Sequence, residues 1–322
     1  MSCTCSFCVL ARKNEQIYDT TTMTRQHATR MEAYMTNEEM RSALKDKKRI
    51  VIKVGSASIT HTKTGGLYLS KIEKLVRIIA DLNGEGKDVI LVTSGAIATG
   101  RQTLGIHRRP RSMEEKQAFA AIGQARLMMT YQKLFSEYGV ISAQVLLTRN
   151  VMLIPESCRN TKNTIEELLN LGTVPVVNEN DTISTSEIDQ VETFGDNDQL
   201  AAIVGAVVNA DLVILLSDID GLFTDDPHQN PDAEFIPFIP EINEKILEMG
   251  KSKSGSNVGT GGMSAKLAAA RIATDSGADM VIAKFTGADI ITDIIDGKNV
   301  GTLFAAHKNK NFDLMEYIGQ NE

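Results

Sequence analysis

The chain has 322 residues, 42% of them hydrophobic and 23% charged, enough apolar material to bury a full core in one large domain or two smaller ones. A formal net charge of −7 and a pI near 5.4 argue against a mainly nucleic-acid-binding role, because phosphate-backbone affinity comes from clustered Lys and Arg. No apolar run reaches the ~18 residues of a membrane span, and the segment after Met1 lacks the basic start and apolar core of a secretory signal, so a cytoplasmic location without membrane partners is expected.

Residues 1–47 are rich in Thr, Met and charge with weak periodicity, and read as a flexible extension with one short helix near Asn37 to Leu44. Cys3, Cys5 and Cys8 crowd this segment while Cys158 stands alone, so structural disulfides are not expected. A zinc site would need a second ligand cluster, none follows, and no residue is assigned to a metal. The expected organisation continues with a folded domain over residues 48–306 and a tail over 307–322. Within the domain, the short β-branched runs Ile50–Val54, Val89–Val92, Ile141–Leu147, Val174–Val177, Leu212–Leu216 and Met280–Ala283 read as strands. Helical spacing fits Lys71–Asn83, Lys116–Tyr138, Asn163–Leu171, Gln199–Val208 and Ser264–Ser276, with Gly84, Gly172 and Gly277 as stops. Near-continuous apolar strands separated by helices predict an α/β fold whose mostly parallel sheet is covered on both faces. A hairpin at Thr60–Leu69 and antiparallel edge strands at Phe235–Pro240 and Val300–Phe304 are expected additions. The basic run from Arg101 to Arg111 reads as a solvated loop.

Loops of unusual composition follow four of the strand-like runs, on the edge where ligands bind in open α/β sheets. In Lys53-Val54-Gly55-Ser56, the lysine lies near the end of a buried-looking strand, where a charge is costly unless paired or liganded. Gly55 and Ser56 can offer backbone N–H groups to a phosphate. Thr93-Ser94-Gly95-Ala96 is placed equivalently after the second strand. Asn178-Glu179-Asn180-Asp181 and Gly195-Asp196-Asn197-Asp198 concentrate carboxylates and amides, which suits binding an ammonium group and organising lysines or Mg²⁺. Turn formation or helix capping would explain any one of them singly. Later, the run Gly259 to Lys266 leads into a helix whose first N–H groups point outward. Lys266 sits in its first turn, where the macrodipole disfavours a cation unless an anion is bound. The run is neither a Walker A loop nor a Rossmann fingerprint. Lys245 stands where the glycine before Gly250-Lys251-Ser252 would be needed, and Ser264 follows Gly259-x-Gly261 in place of the third glycine.

In this order the motifs resemble those of the glutamate 5-kinase branch of the amino-acid kinase family, with Ser217-Asp218-Ile219-Asp220-Gly221-Leu222-Phe223 as a further match. The resemblance spans about residues 49–306. It implies a three-layer αβα sandwich and ATP-dependent phosphorylation of the γ-carboxylate of L-glutamate, the first step of proline biosynthesis, with ATP and Mg²⁺ as cofactors. Lys53 and Lys266 match the family lysines that neutralise charge on the transferring phosphoryl group, and Asp198 matches the aspartate that holds both. Ser94, Asp181 and Asn197, with Asn178 nearby, match glutamate-binding positions. Lys53, Gly55 and Ser56, then Ser217 and Asp218, then Thr260, Gly261, Gly262, Met263, Ser264, Ala265 and Lys266 form the expected nucleotide site. Feedback inhibition by proline and a homo-oligomer are implied as well. About 18 residues follow Phe304, so the C-terminal PUA domain of many bacterial relatives is not expected. The segment Ala283 to Gly287 departs from the small-residue sequence the resemblance would place on the adenine side. A sibling kinase with another acceptor and a non-catalytic glutamate or proline sensor are the alternatives; intact Lys53, Asp198 and Lys266 speak against the sensor.

Overall fold

Residues 35–61, 64–183, 197–227, 229–251 and 262–320 are described in the computed structural model of the chain. The runs rich in Val, Ile and Leu form strands because β-branched side chains, stiff at χ1, pack well on a pleated surface. In chain order, α1 (Asn37–Ser42) and a 3₁₀ turn (Ala43–Asp46) lead into β1 (Arg49–Val54), α2 (Ser56–Ile59), α3 (Leu69–Gly84), β2 (Asp88–Val92), α4 (Ala96–Thr103) and α5 (Met113–Ser136). The middle of the chain forms β3 (Ser142–Leu147), α6 (Arg149–Leu153), α7 (Pro155–Asn170), β4 (Val174–Glu179), α8 (Asn197–Val207) and β5 (Leu212–Ser217). There follow β6 (Leu222–Phe223), β7 (Phe235–Ile236), β8 (Phe238–Ile239), α9 (Glu244–Lys251), α10 (Met263–Ser276), β9 (Asp279–Lys284), α11 (Asp289–Ile295), β10 (Thr302–Phe304) and α12 (Leu314–Gln320).

Eight strands make one sheet in the order β3-β4-β2-β1-β5-β9-β10-β8. All neighbours from β3 to β9 run parallel, β10 is antiparallel to β9, and β8 pairs parallel with β10. Both expected edge segments therefore form strands, although β8 is not antiparallel to its partner. The hairpin expected at Thr60–Leu69 shrinks to a single antiparallel bridge between Thr60 and Leu67. Two-residue periodicity divides each strand between two cores. Val51, Val92, Val177, Leu215 and Ile282 face one layer, which holds α7, α8 and α10. Ile50, Ile52, Leu91, Val176 and Ile214 face the other, filled by α3, α5 and α11. This is the three-layer α/β sandwich.

Two boundaries differ from expectation. The extension does not run to residue 47, because Leu44 is fully buried in the second core and the Arg41 guanidinium is buried against the sheet's far edge. That guanidinium donates to the carbonyls of Lys298, Val300, Pro237 and Gly301 at 2.8–3.0 Å. Nor does the domain end at 306. Phe312, Leu314 and Tyr317 pack on the first core, Ile318 is buried, and Arg149 donates to the Ile318 carbonyl at 2.5 Å. The basic run is partly helical, with Arg101 in α4, while Arg108 forms an ion pair with Glu115. Cys3, Cys5 and Cys8 lie outside the described residues; Cys158 is a free, half-buried thiol. No helix among the described residues is long and apolar enough to cross a membrane.

Candidate active site

Parallel pairing brings the carboxyl ends of β1, β2, β4 and β5 to one sheet edge, and strand parity decides which layer each polar side chain enters. Lys53, two residues after Val51, points toward α8 and α10. There its Nζ lies 2.5 Å from Asp198 Oδ1 in the first turn of α8. Lys266, in the first turn of α10, places its Nζ 2.9 Å from Asp198 Oδ2. The three side chains are only 5%, 1% and 6% exposed for Lys53, Asp198 and Lys266 respectively. Burial alone would raise the Asp198 carboxyl pKa, but the charges of Lys53 and Lys266 and their hydrogen bonds outweigh it, leaving the pKa below the ordinary value. A single buried carboxylate thus lies between two ammonium groups. Such a cluster attracts an anion whose oxygens can share both ammonium groups.

On the other side of β2 and β4, parity sends Thr93 and Asn178 toward α5. Thr93 Oγ1 is 2.8 Å from the buried Tyr131 hydroxyl, which fixes the strand end behind Ser94. The Asn178 amide donates to Gln124 Oε1 at 2.9 Å, and its Oδ1 accepts from the Glu179 N–H at 2.9 Å. Asn197 joins this group to the triad, because it immediately precedes Asp198. Its Nδ2 donates to the Thr93 carbonyl at 2.6 Å, Ser94 Oγ at 2.9 Å and Asn178 Oδ1 at 3.1 Å. Gly95 makes the turn from β2 into α4 at φ +99°, a left-handed conformation that favours glycine. Asp181 lines a small pocket with Ala96, Ala120, Gln124, Leu146, Glu179, Asn180 and Thr182. Burial raises its carboxyl pKa, while the charge of Lys116 lowers it less strongly.

The expected nucleotide residues that are described lie near the carboxyl ends of β1 and β5 and at the start of α10. Gly55 is the residue before α2, and a Cβ added there would sit 3.7 Å from Lys53 Nζ, so backbone lies beside the ammonium group. Ser56 opens α2, and Gly262 precedes α10, whose first turn contains Met263, Ser264, Ala265 and Lys266. Ser217 ends β5 and donates to Asp218 Oδ1 at 3.0 Å. Its carbonyl accepts from the Phe285 N–H at 2.8 Å, which places the divergent Ala283–Gly287 segment at the same edge. Thr260, Gly261, Gly195 and Asp196 lie outside the described residues. Sequence reasoning did not select Gln124 or Tyr131, and named Thr93 only as part of its loop. The available signal was a polar pair of buried positions, Gln124 and Tyr131, on the apolar face of a helix that also buries Ala120 and Leu127.

An open parallel sheet with a lysine-carboxylate-lysine cluster at its carboxyl edge can hold an anion such as a phosphate, and comparison with known proteins shows the family. The model described as "Amino acid kinase family" matches residues 48–284. Glutamate 5-kinase of Clostridium perfringens is 48% identical over 271 residues, covering 84% of this chain and 100% of its own. Glutamate 5-kinase of Carboxydothermus hydrogenoformans is 49% identical, covering 84% of this chain and 71% of its own. Among solved structures, UMP kinase from Ureaplasma parvum superposes with a TM-score of 0.55 at 17% identity, covering 80% of this chain and 99% of its own. Isopentenyl phosphate kinase from T. acidophilum gives 0.52 at 17% identity, covering 80% and 100%. These two likenesses concern the fold alone. The chain belongs to the amino acid kinase family, among the glutamate 5-kinases.

Proposed function

We propose that the chain transfers the γ-phosphoryl group of ATP to the γ-carboxylate of L-glutamate, forming γ-glutamyl phosphate and ADP. The observation that carries the reading is the buried Asp198 carboxylate held between Lys53 and Lys266. A carboxylate oxygen of the acceptor attacks the γ-phosphorus, a new O–P bond forms, and the bond to the β-phosphate oxygen breaks with its electrons leaving on ADP. No general base is needed, since the nucleophile is already ionised. Positioning and charge stabilisation therefore supply most of the catalysis. In this reading Lys53 and Lys266 take up the charge on the transferring oxygens while Asp198 fixes their spacing. Ser94, Asn178, Asp181 and Asn197 hold the amino acid, with Asp181 facing the α-ammonium group. Gly55, Ser56, Ser217, Asp218 and the segment from Thr260 to Ala265 hold the nucleotide.

Mg²⁺ fits this arrangement as a companion of the ATP phosphates. Both Asp198 oxygens face ammonium groups, and among the described residues no three His, Cys, Asp or Glu side chains converge to cage a metal. Magnesium commonly reaches kinase sites through substrate phosphates and retained waters. Such an ion would supply charge neutralisation on those phosphates. Proline inhibition, homo-oligomer assembly and a cytoplasmic location belong to the same reading and are tested by adding proline to the assay, by sedimentation and by fractionation.

The decisive assay is ATP-dependent formation of a hydroxylamine-trappable acyl phosphate. Glutamate should be used far better than N-acetylglutamate, whose amide cannot offer Asp181 a charge. Equal use of the two would favour a sibling kinase, and no product from any carboxylic acid would favour the sensor.

A further inference from the structure

Gln124 is 7% exposed, on α5, and its two ends have different fates. Oε1 accepts from Asn178 at 2.9 Å, which sets the orientation of the carboxamide. Nε2, with two N–H donors, is buried and has no hydrogen-bond partner among the described residues. A donor left unpaired in a protein interior is costly. Gln124 also lines the pocket that contains Asp181. Its position there is set by an unusually close helix contact. A Cβ on Gly123 would lie 1.7 Å from the Ala96 carbonyl, and one on Gly100 would lie 1.9 Å from the Phe119 carbonyl. Only glycine at both crossings lets α5 approach α4 closely enough to bring residue 124 to the wall of the acceptor pocket.

We infer that Gln124 is a specificity-determining residue whose Nε2 donates to an α-carboxylate oxygen of the acceptor, beside the α-ammonium group paired with Asp181. The inference rests on the acceptor reading given above. The pocket sits at the Asp181 end of the hydrogen-bonded group, while Asn197 and Asp198 lead to the lysines at the other. An amino acid lying along this line puts its γ-carboxylate at the phosphoryl group and its α-carboxylate beside Gln124. A neutral amide donor at this point binds the carboxylate without supplying a full charge to compete with Asp181 for the ammonium group.

The test compares glutamate with its α-carboxamide analogue, which keeps the α-ammonium group and the γ-carboxylate. Gln124→Glu still accepts from Asn178 but replaces the donor with an acceptor. It should raise KM for glutamate about ten- to a hundredfold, leave KM for ATP within about twofold, and narrow or invert the preference for glutamate over the α-carboxamide. Gln124→Met, similar in volume and without a donor, should raise KM for glutamate in the same direction. Equal losses on both acceptors, or an unchanged KM for glutamate in both variants, would overturn the inference. If the wild-type protein itself fails to phosphorylate glutamate, it is the acceptor reading that fails.

Discussion

At Asp198 two ammonium groups share one buried carboxylate, so substitutions at the three positions should be unequal. Lys266→Met leaves Asp198 paired with Lys53, so the melting temperature should change little. Turnover should fall ~10²–10³-fold, as when one preorganised donor is lost. Turnover above about a third of wild type in the folded variant would remove Lys266 from the transfer step. Asp198→Asn takes away the carboxylate that both buried ammonium groups share and should cost about 3–5 kcal/mol in addition to activity. Denaturant melts of both variants measure the contrast. The pH dependence follows from the sign. Because the folded Asp198 pKa is depressed, its stabilisation is present above the unfolded value, near ~4, and lost as pH falls through the lower folded value. The gap in stability between wild type and Asp198→Asn should therefore persist at neutral pH and close only in acid. Asp181 shifts the opposite way, since burial raises its pKa. An Asp181 that pairs with the substrate must be ionised, so KM for glutamate should begin to climb in mild acid, above the ordinary carboxylate range. Asp181→Asn should raise KM for glutamate far more than that for ATP; a defect confined to ATP would reject the contact.

Among the elements, α4 and α5 form the least tolerant junction. Gly123→Ala would drive its methyl group into the Ala96 carbonyl and toward the Gly100 nitrogen, backbone atoms that cannot swing aside. The expected result is a loss of about 3 kcal/mol and a weaker KM for glutamate, because α4 carries the turn after Ser94. A thermal melt and acceptor kinetics check both. Arg41→Ala acts at the opposite edge, leaving the four carbonyls it serves without that donor, and should destabilise by about 3 kcal/mol with little direct effect on chemistry. These two sites also mark where the sequence could be read and where it could not. The six parallel strands were legible because each is a short apolar run bounded by polar loops. Lys53 was legible because a charge ending such a run needs a partner. Lys266 stood out as a cation in a helix's first turn and Asp198 within a dense acidic loop, but their joint role came by resemblance, and neither spacing nor periodicity joins them to Lys53. Helix α4 was not legible, since Ala96–Thr103 has Thr99 and Gly100 in its middle and gains its order by packing on α5. Arg41 was hidden for a related reason: its acceptors are carbonyls distant in the chain, and backbone acceptors leave no trace in composition. Gln124 lay within an ordinary amphipathic stretch whose polar exceptions acquire meaning only beside Asn178.

At the scale of the whole molecule, the packed unit reaches beyond the 48–306 limits on both sides, and its C-terminal end is pinned by a titratable contact. His307 Nε2 lies 3.0 Å from Asp275 Oδ1 at the end of α10. The hydrogen bond to Asp275 outweighs burial and raises the His307 pKa. Its stabilisation is therefore complete below the unfolded value of ~6.5 and lost as pH rises through the higher folded value. Amide exchange in α12 should be slower at pH ~6 than at pH ~9 after correction for intrinsic rates, and His307→Gln should remove the difference. The lysine-carboxylate-lysine cluster has a consequence of another kind. Its members come from β1, α8 and α10, so the first central strand and one of the last helices must both be docked before the cluster exists. Closing so long a loop is among the slower events in folding. Refolding followed by far-UV circular dichroism, since the chain has no Trp, should recover helix signal before turnover returns. Enzyme activity then becomes a clock for the last long-range contact, and a chain arrested during synthesis before α10 would be folded in part yet chemically silent.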